Sequence, residues 1–203
     1  MDVRYRISLI LIAWGLLLGA TTPPPPGLSD EQRRRLSAGE IVVLDTLPPG
    51  ASKDARGATG MAVVRATTEQ VWRVLTDYRG HVRYYPRVTA VEVLEADERH
   101  ALVRYEVGIG PLSFAFHMNK YPDPIRRRIE WQLAEGRSNS FFRENSGYWQ
   151  VDEARDGTLV TYAIAVRTTL PSFATSGTER QSVFDTITSL RKVVATETGT
   201  PAR

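Results

Sequence analysis

From Val88 to Thr168 the chain is a succession of alternating apolar and polar runs separated by short turns. Connections this short leave only one solution, in which consecutive strands are antiparallel neighbours. The predicted strands are Val88–Leu94, His100–Ile109, Leu112–Tyr121, Arg126–Leu133, Ser140–Val151 and Leu159–Thr168. They are punctuated by Gly110-Pro111, Pro122-Asp123-Pro124, Glu135-Gly136 and Asp156-Gly157, with a bulge expected near Gly147. The period then changes. Thr178 to Thr196 spaces Val183, Phe184, Ile187, Leu190, Val193 and Val194 along one face of a helix of about 18 residues. A meander has an apolar face to cover, and this helix is the only long element available to cover it.

Two further strands are predicted before the meander, Glu40–Leu47 and Gly60–Ala66, with a turn-rich connection between them. Thr67 to Val88 (TTEQVWRVLTDYRGHVRYYPRV) joins the second strand to the meander. Thr67 or Thr68 can cap a helix whose first turn holds Glu69 and Gln70. Val71, Trp72, Val74, Leu75 and Tyr78 give it a buried face, Gly80 is a stop signal, and Pro86 forbids continuation. The predicted class is α+β, a curved antiparallel sheet wrapped around a long C-terminal helix.

The N-terminus reads as a targeting segment. Arg4 and Arg6 precede an apolar core from Ile7 to Leu18, and Gly19-Ala20 supplies small residues for cleavage. The core is short of the roughly 20 apolar residues of a comfortable membrane span. The expectation is an exported, periplasmic protein, with an uncleaved membrane anchor as the alternative. The predicted organisation is a signal peptide over 1–20, a Pro-rich linker and short helix capped by Ser29 over 21–39, a single domain over 40–196, and a tail over 197–203.

Composition removes several classes of chemistry. The 203 residues include no cysteine, so disulfides, thiolate metal sites and cysteine nucleophiles are excluded. A net charge of +3 is too weak for a dedicated nucleic-acid surface. His81, His100 and His117 fall in different elements without metal-ligand spacing, so no metal or cofactor is expected. His81 and His100 read as exposed turn residues. His117 reads as solvent-facing, because its parity opposes that of Phe114 and Phe116. No serine–histidine–aspartate set or glycine-rich phosphate loop is present.

Residues Val63 to Glu95 carry a more specific signal. A strand ends in Ala66, followed by Glu69, Val71 and Trp72, then Leu75, Asp77 and Tyr78, then Tyr85-Pro86 and a new strand. This pattern resembles that of the START-like (SRPBCC) superfamily, whose helix-grip fold is shared by polyketide cyclases, the birch-pollen-allergen group and coenzyme-Q-binding proteins. Gly147-Tyr148-Trp149 and the C-terminal helix match more loosely, and the resemblance spans about residues 40–196.

The resemblance implies a ligand cavity between the sheet and the C-terminal helix. Its expected lining is Phe114, Phe116, Trp131, Phe141, Trp149, Tyr162, Phe184, Ile187 and Leu190, residues that would serve a plain packed core equally well. Arg104 and Arg143 are expected as polar anchors if either points inward. Arg104, Glu106, Arg143 and Glu144 can otherwise pair across strands on the wet face. Tyr84 and Tyr85, set among Arg79, Arg83 and Arg87, are expected at the cavity mouth, in a mix also suited to an anionic membrane surface or a protein partner. The implied function is an exported binder or carrier of a hydrophobic small molecule: a lipid, an isoprenoid quinone or a polyketide-like compound. The alternatives are a cell-envelope interaction module without ligand, and an aromatic or polyketide cyclase–dehydratase. The residues assemble no catalytic set, so enzymatic activity enters only through the resemblance.

Overall fold

The computed structural model describes residues 27–139, 141–169 and 179–199. The N-terminal segment Met1–Ala20 and most of the proline linker lie outside the described residues. Eight strands form one curved antiparallel sheet in the order β1-β2-β8-β7-β6-β5-β4-β3. They are β1 Val42–Leu44, β2 Arg56–Val64, β3 Val88–Ala96, β4 Ala101–Ile109, β5 Leu112–Asp123, β6 Arg128–Leu133, β7 Phe142–Ala154 and β8 Gly157–Thr168. From β3 to β8 every strand pairs with its successor. The one long excursion runs from β2 to the far edge at β3. It uses helix α2 (Thr68–Thr76) and a 3-10 turn (Tyr78–Arg83).

Helix α2 begins at a capping box. Thr67 accepts from the Gln70 amide while Gln70 returns a bond to the Thr67 amide. It ends at Asp77, short of Gly80, and the chain tightens there because the Asp77 carboxylate accepts from the Gly80 amide. Ser29 and Gln32 cap the preceding helix α1 (Asp30–Ser37) in the same way.

Helix α3 (Glu179–Thr198) lies across the concave face, nearest β2. Its buried residues are Val183, Thr186, Ile187, Leu190 and Val194, spaced as one helical stripe. Gly60 makes the close approach possible, because a Cβ there would stand 2.5 Å from Val183 and 2.6 Å from Ile187. The helix is clipped along its length. Arg180 donates to Asp45 (2.6 Å) and the Val43 carbonyl, Arg191 to the Val63 carbonyl (2.9 Å), and Arg83 to Glu197 (2.5 Å).

The convex face is partly covered as well. Helix α1 buries Leu36 against Val42, Met61 and Leu159 in a second apolar cluster. The connection between β1 and β2 is tethered where the Ser52 amide and hydroxyl donate to Glu144. The bulge lies at Arg143, between Phe142 and Glu144, and not near Gly147. Gly147 is in regular register opposite Trp131 and Ile164. It is glycine for another reason: a Cβ would stand 2.1 Å from the Ala163 carbonyl oxygen and 2.6 Å from the Trp131 ring.

Candidate functional site

A cavity of about 130 Å³ lies between the concave face and α3. Its inner wall is built from buried side chains of successive strands, namely Tyr105 on β4, Phe116, Met118 and Lys120 on β5, Trp131 on β6 and Tyr162 on β8. Val88, Val107, Phe142 and Ile164 are only half-buried, and Ser182 on α3 is exposed, so among the described residues the cavity opens beside the N-terminal turn of that helix.

Three of the expected lining residues, Phe116, Trp131 and Tyr162, border this space. The others do not. Trp149 is buried behind Tyr162 and stacks on it with ring centroids 4.3 Å apart. Phe141 packs on Phe114 (4.8 Å), and it is Phe142 that faces the cavity, because the Arg143 bulge shifts the register by one residue. Ile187 and Leu190 are fully buried core residues, and Thr186 and Ser182 are the α3 residues at the cavity. Phe184 is 41% exposed, one position off the buried stripe.

Neither arginine anchor points inward. Arg104 lies on the convex face with Glu106 (2.5 Å) and Glu92 (3.9 Å), and Arg143 is exposed at the bulge. His117 is also on the convex side, where its Nδ1–H donates to the Ser138 carbonyl. His100 is half-buried and bonded to Asn119.

The turn after α2 is less superficial than its composition suggests. Tyr84 is buried to 1% exposure and belongs to the core, whereas Tyr85 turns into the cavity. The Tyr85 hydroxyl accepts from the Trp149 indole N–H at 2.8 Å. Pro86 and Arg87 form the corner of a tight turn closed by the Val88 amide on the Tyr85 carbonyl, with Arg87 at φ 77°. Positive φ at a non-glycine residue costs roughly 1–2 kcal/mol, held here by the surrounding pairing.

His81 is buried, not exposed. Its Nε2 lies 3.0 Å from the Leu75 carbonyl, which can only accept, so Nε2 carries the proton. Nδ1 is then the acceptor for the Tyr105 hydroxyl at 2.8 Å. Burial and the neighbouring charges of Lys120 and Arg83 hold the imidazole neutral, well below its usual range.

The group absent from the sequence-based expectations is Lys120. It is 3% exposed. Its Nζ sits over three aromatic rings, 4.9 Å from the Trp131 centroid, 5.5 Å from Tyr105 and 5.8 Å from Tyr78. Among the described residues it has no hydrogen bond and no carboxylate partner. Burial lowers its pKa from 10.5 to about 7. The signal was in the sequence: Lys120 has the parity of Phe114, Phe116 and Met118 and so shares their inward face. Asn145 is the second polar group of the lining. Its side-chain oxygen accepts from the Trp131 N–H at 3.3 Å, and its amide nitrogen has no acceptor among the described residues. No cluster of three or more metal-ligating side chains occurs among the described residues.

No curated protein matches the sequence. The architecture is similar to that of many solved structures at low identity, three of which follow. An aromatase/cyclase from Streptomyces sp. R1128 aligns at TM-score 0.61 and 20% identity, covering 71% of this chain and 96% of that one. A START superfamily protein from Mycobacterium smegmatis aligns at 0.57 and 16%, covering 68% and 97%. A STAR-related lipid transfer protein from Xanthomonas axonopodis aligns at 0.56 and 20%, covering 76% and 93%. The sequence itself matches one family over residues 64–191, from the end of β2 well into α3, and the chain therefore belongs to the polyketide cyclase/dehydrase and lipid transport family.

Proposed function

We propose that this protein is an exported binder or carrier of a hydrophobic small molecule, which it holds between the concave sheet and α3. The observation that carries the reading is the cavity itself, walled by aromatic and aliphatic side chains and open beside Ser182. Such a lining desolvates an apolar body and leaves a few polar groups to orient it. The family's description, which couples cyclase and lipid-transport members, supports the same class of ligand. Export is supported by the positive, apolar and small-residue order of Met1–Ala20.

Size narrows the ligand. Drug-sized sites run to roughly 300–1,000 Å³, and this cavity is about 130 Å³. A compact, ring-bearing molecule of polyketide type fits that space better than an extended isoprenoid or acyl chain, which would have to protrude past Ser182.

A membrane or partner surface at Arg79–Arg87 has less support. Tyr84 is buried, Tyr85 faces the cavity, and Arg83 is engaged by Asp77 and Glu197. A cyclase reading has one favourable observation, the buried amine of Lys120. Among the described residues no carboxylate accompanies it in the lining to complete an acid–base pair.

The test is titration of the purified chain with the neutral fluorophore N-phenyl-1-naphthylamine. Saturable one-site binding, displaced by naphthalene-sized competitors, is expected. Absence of saturable binding, together with no retained small molecule in the host-purified protein by native mass spectrometry, contradicts the proposal.

A further inference from the structure

We infer that the cavity selects hydrophobic molecules bearing a carboxylate, with Lys120 as the counter-charge and the Asn145 amide as a second donor beside it. The inference rests on the cavity being a binding site and adds the chemistry of what it admits.

Among the described residues Lys120 is the only one in the lining able to carry a charge at neutral pH. It is more than nine-tenths buried, and its amine has no acceptor among the described residues. A buried ammonium with nothing but ring faces around it is under-compensated. The ring contacts offset part of the cost of burying the amine, but neither a counter-ion nor a full hydrogen-bond acceptor among the described residues offsets the rest. A structural lysine would be expected to reach a carboxylate or to turn outward along its flexible stem. This one does neither, because its strand parity directs it inward and β6 places the Trp131 indole directly opposite it.

The surroundings leave the position for an anion open. The titratable groups facing Lys120 are Tyr78 from the 3-10 turn, Tyr105 from β4 and, close enough to feel its charge, His81. Tyr85 and Tyr162 share the cavity. Burial raises all four tyrosines and lowers His81, so every one of these groups is neutral near pH 7. Asn145 lies at the N–H edge of the same ring, where its oxygen accepts the Trp131 N–H, and its amide nitrogen has no acceptor among the described residues. One cation over the indole face and one amide donor at its N–H edge suit a planar carboxylate attached to an apolar body. Without that ligand the amine sheds its proton more readily, with a pKa of about 7. With it the ammonium is favoured again, so binding of the acid and protonation of Lys120 are linked.

The experiment compares 2-naphthoic acid with 2-naphthamide, which share shape and size, on the full chain and on Lys120→Met, using calorimetry in buffers of different ionisation enthalpy. Near neutral pH the acid is expected to bind the wild-type chain roughly 10-fold or more tighter than the amide. At about one pH unit above the Lys120 value of about 7, acid binding should take up a proton and amide binding should not. Lys120→Met should erase the preference and the proton uptake. Equal affinities for acid and amide in the wild type, or a preference that survives in Lys120→Met, overturn the inference and leave the cavity reading standing. Failure of both compounds to bind a chain that binds N-phenyl-1-naphthylamine overturns the inference alone, and failure of all three overturns the cavity reading with it. Proton uptake is read on the unaltered chain, so the inference is tested even if the variant folds poorly.

Discussion

The Lys120 Nζ lies 4.9 Å from the centre of the Trp131 indole, and the two residues are directly paired across β5 and β6. This pair organises the closed end of the cavity. Trp131 can lie flat across β7 only because Gly147, its partner on the other side, has no side chain. The indole thus supports the amine on one side and orients the Asn145 amide through its own N–H. The first prediction concerns the energetic consequence of that arrangement.

Lys120→Met should stabilise the empty protein at neutral and acidic pH. The folded-state pKa is about 7 against 10.5 for the unfolded chain. Between those values the unfolded state binds more protons, so stability rises with pH through that window. Below about pH 7 the full penalty is present. Replacing the amine by a thioether of similar length removes a penalty of about 2–4 kcal/mol. Chemical denaturation of both chains at pH 6 and pH 9 checks this: the gap between them should be large at the lower pH and shrink at the higher.

His81 should matter to stability in the opposite sense. Its two ring nitrogens satisfy the Leu75 carbonyl and the Tyr105 hydroxyl, both buried. His81→Ala strands both groups and should cost about 2–4 kcal/mol. His81→Gln offers one donor and one acceptor and should recover part of that loss. Because the folded imidazole resists protonation, the unfolded chain gains a proton as pH falls below 6.5, and native stability declines there. Urea midpoints of the glutamine variant should lack that component of the acid decline.

Gly147→Ala should destabilise the fold by about 1–3 kcal/mol, since the new methyl meets the Ala163 backbone on one side and the Trp131 ring on the other. The displaced indole should also change the near-ultraviolet circular dichroism. Thermal unfolding of this variant equal to wild type would show that the two strands have slack the structure does not display.

Much of this architecture is legible in the residues. The eight strands, the short turns and the long last helix follow from periods of 2 and 3.6, and the pattern from Val63 to Glu95 identifies the fold. The site was legible only in part, for three physical reasons. A single extra residue at Arg143 exchanges Phe141 for Phe142 at the cavity, and nothing local in that sequence announces a bulge. Helix phase drifts by a fraction of a turn, so Phe184 reads as inward when the buried stripe passes beside it through Val183 and Ile187. His81 lies in a short 3-10 turn with no period to place it. Lys120 differs from these, because the alternation that set Phe116 inward set it inward too. A lysine's charge favours the surface, and here strand parity is the better guide.

The central claim, that an apolar molecule occupies the space between sheet and α3, is tested most directly by filling that space. Thr186 faces it from α3 and is 2% exposed. The measurement is the affinity of N-phenyl-1-naphthylamine for wild type and for Thr186→Phe, with thermal unfolding as the control for folding. A tenfold or greater loss of affinity, about 1.4 kcal/mol or more, in a variant that melts within a few degrees of wild type is the predicted result. Unchanged affinity in a folded Thr186→Phe chain would place the bound molecule elsewhere and contradict the account.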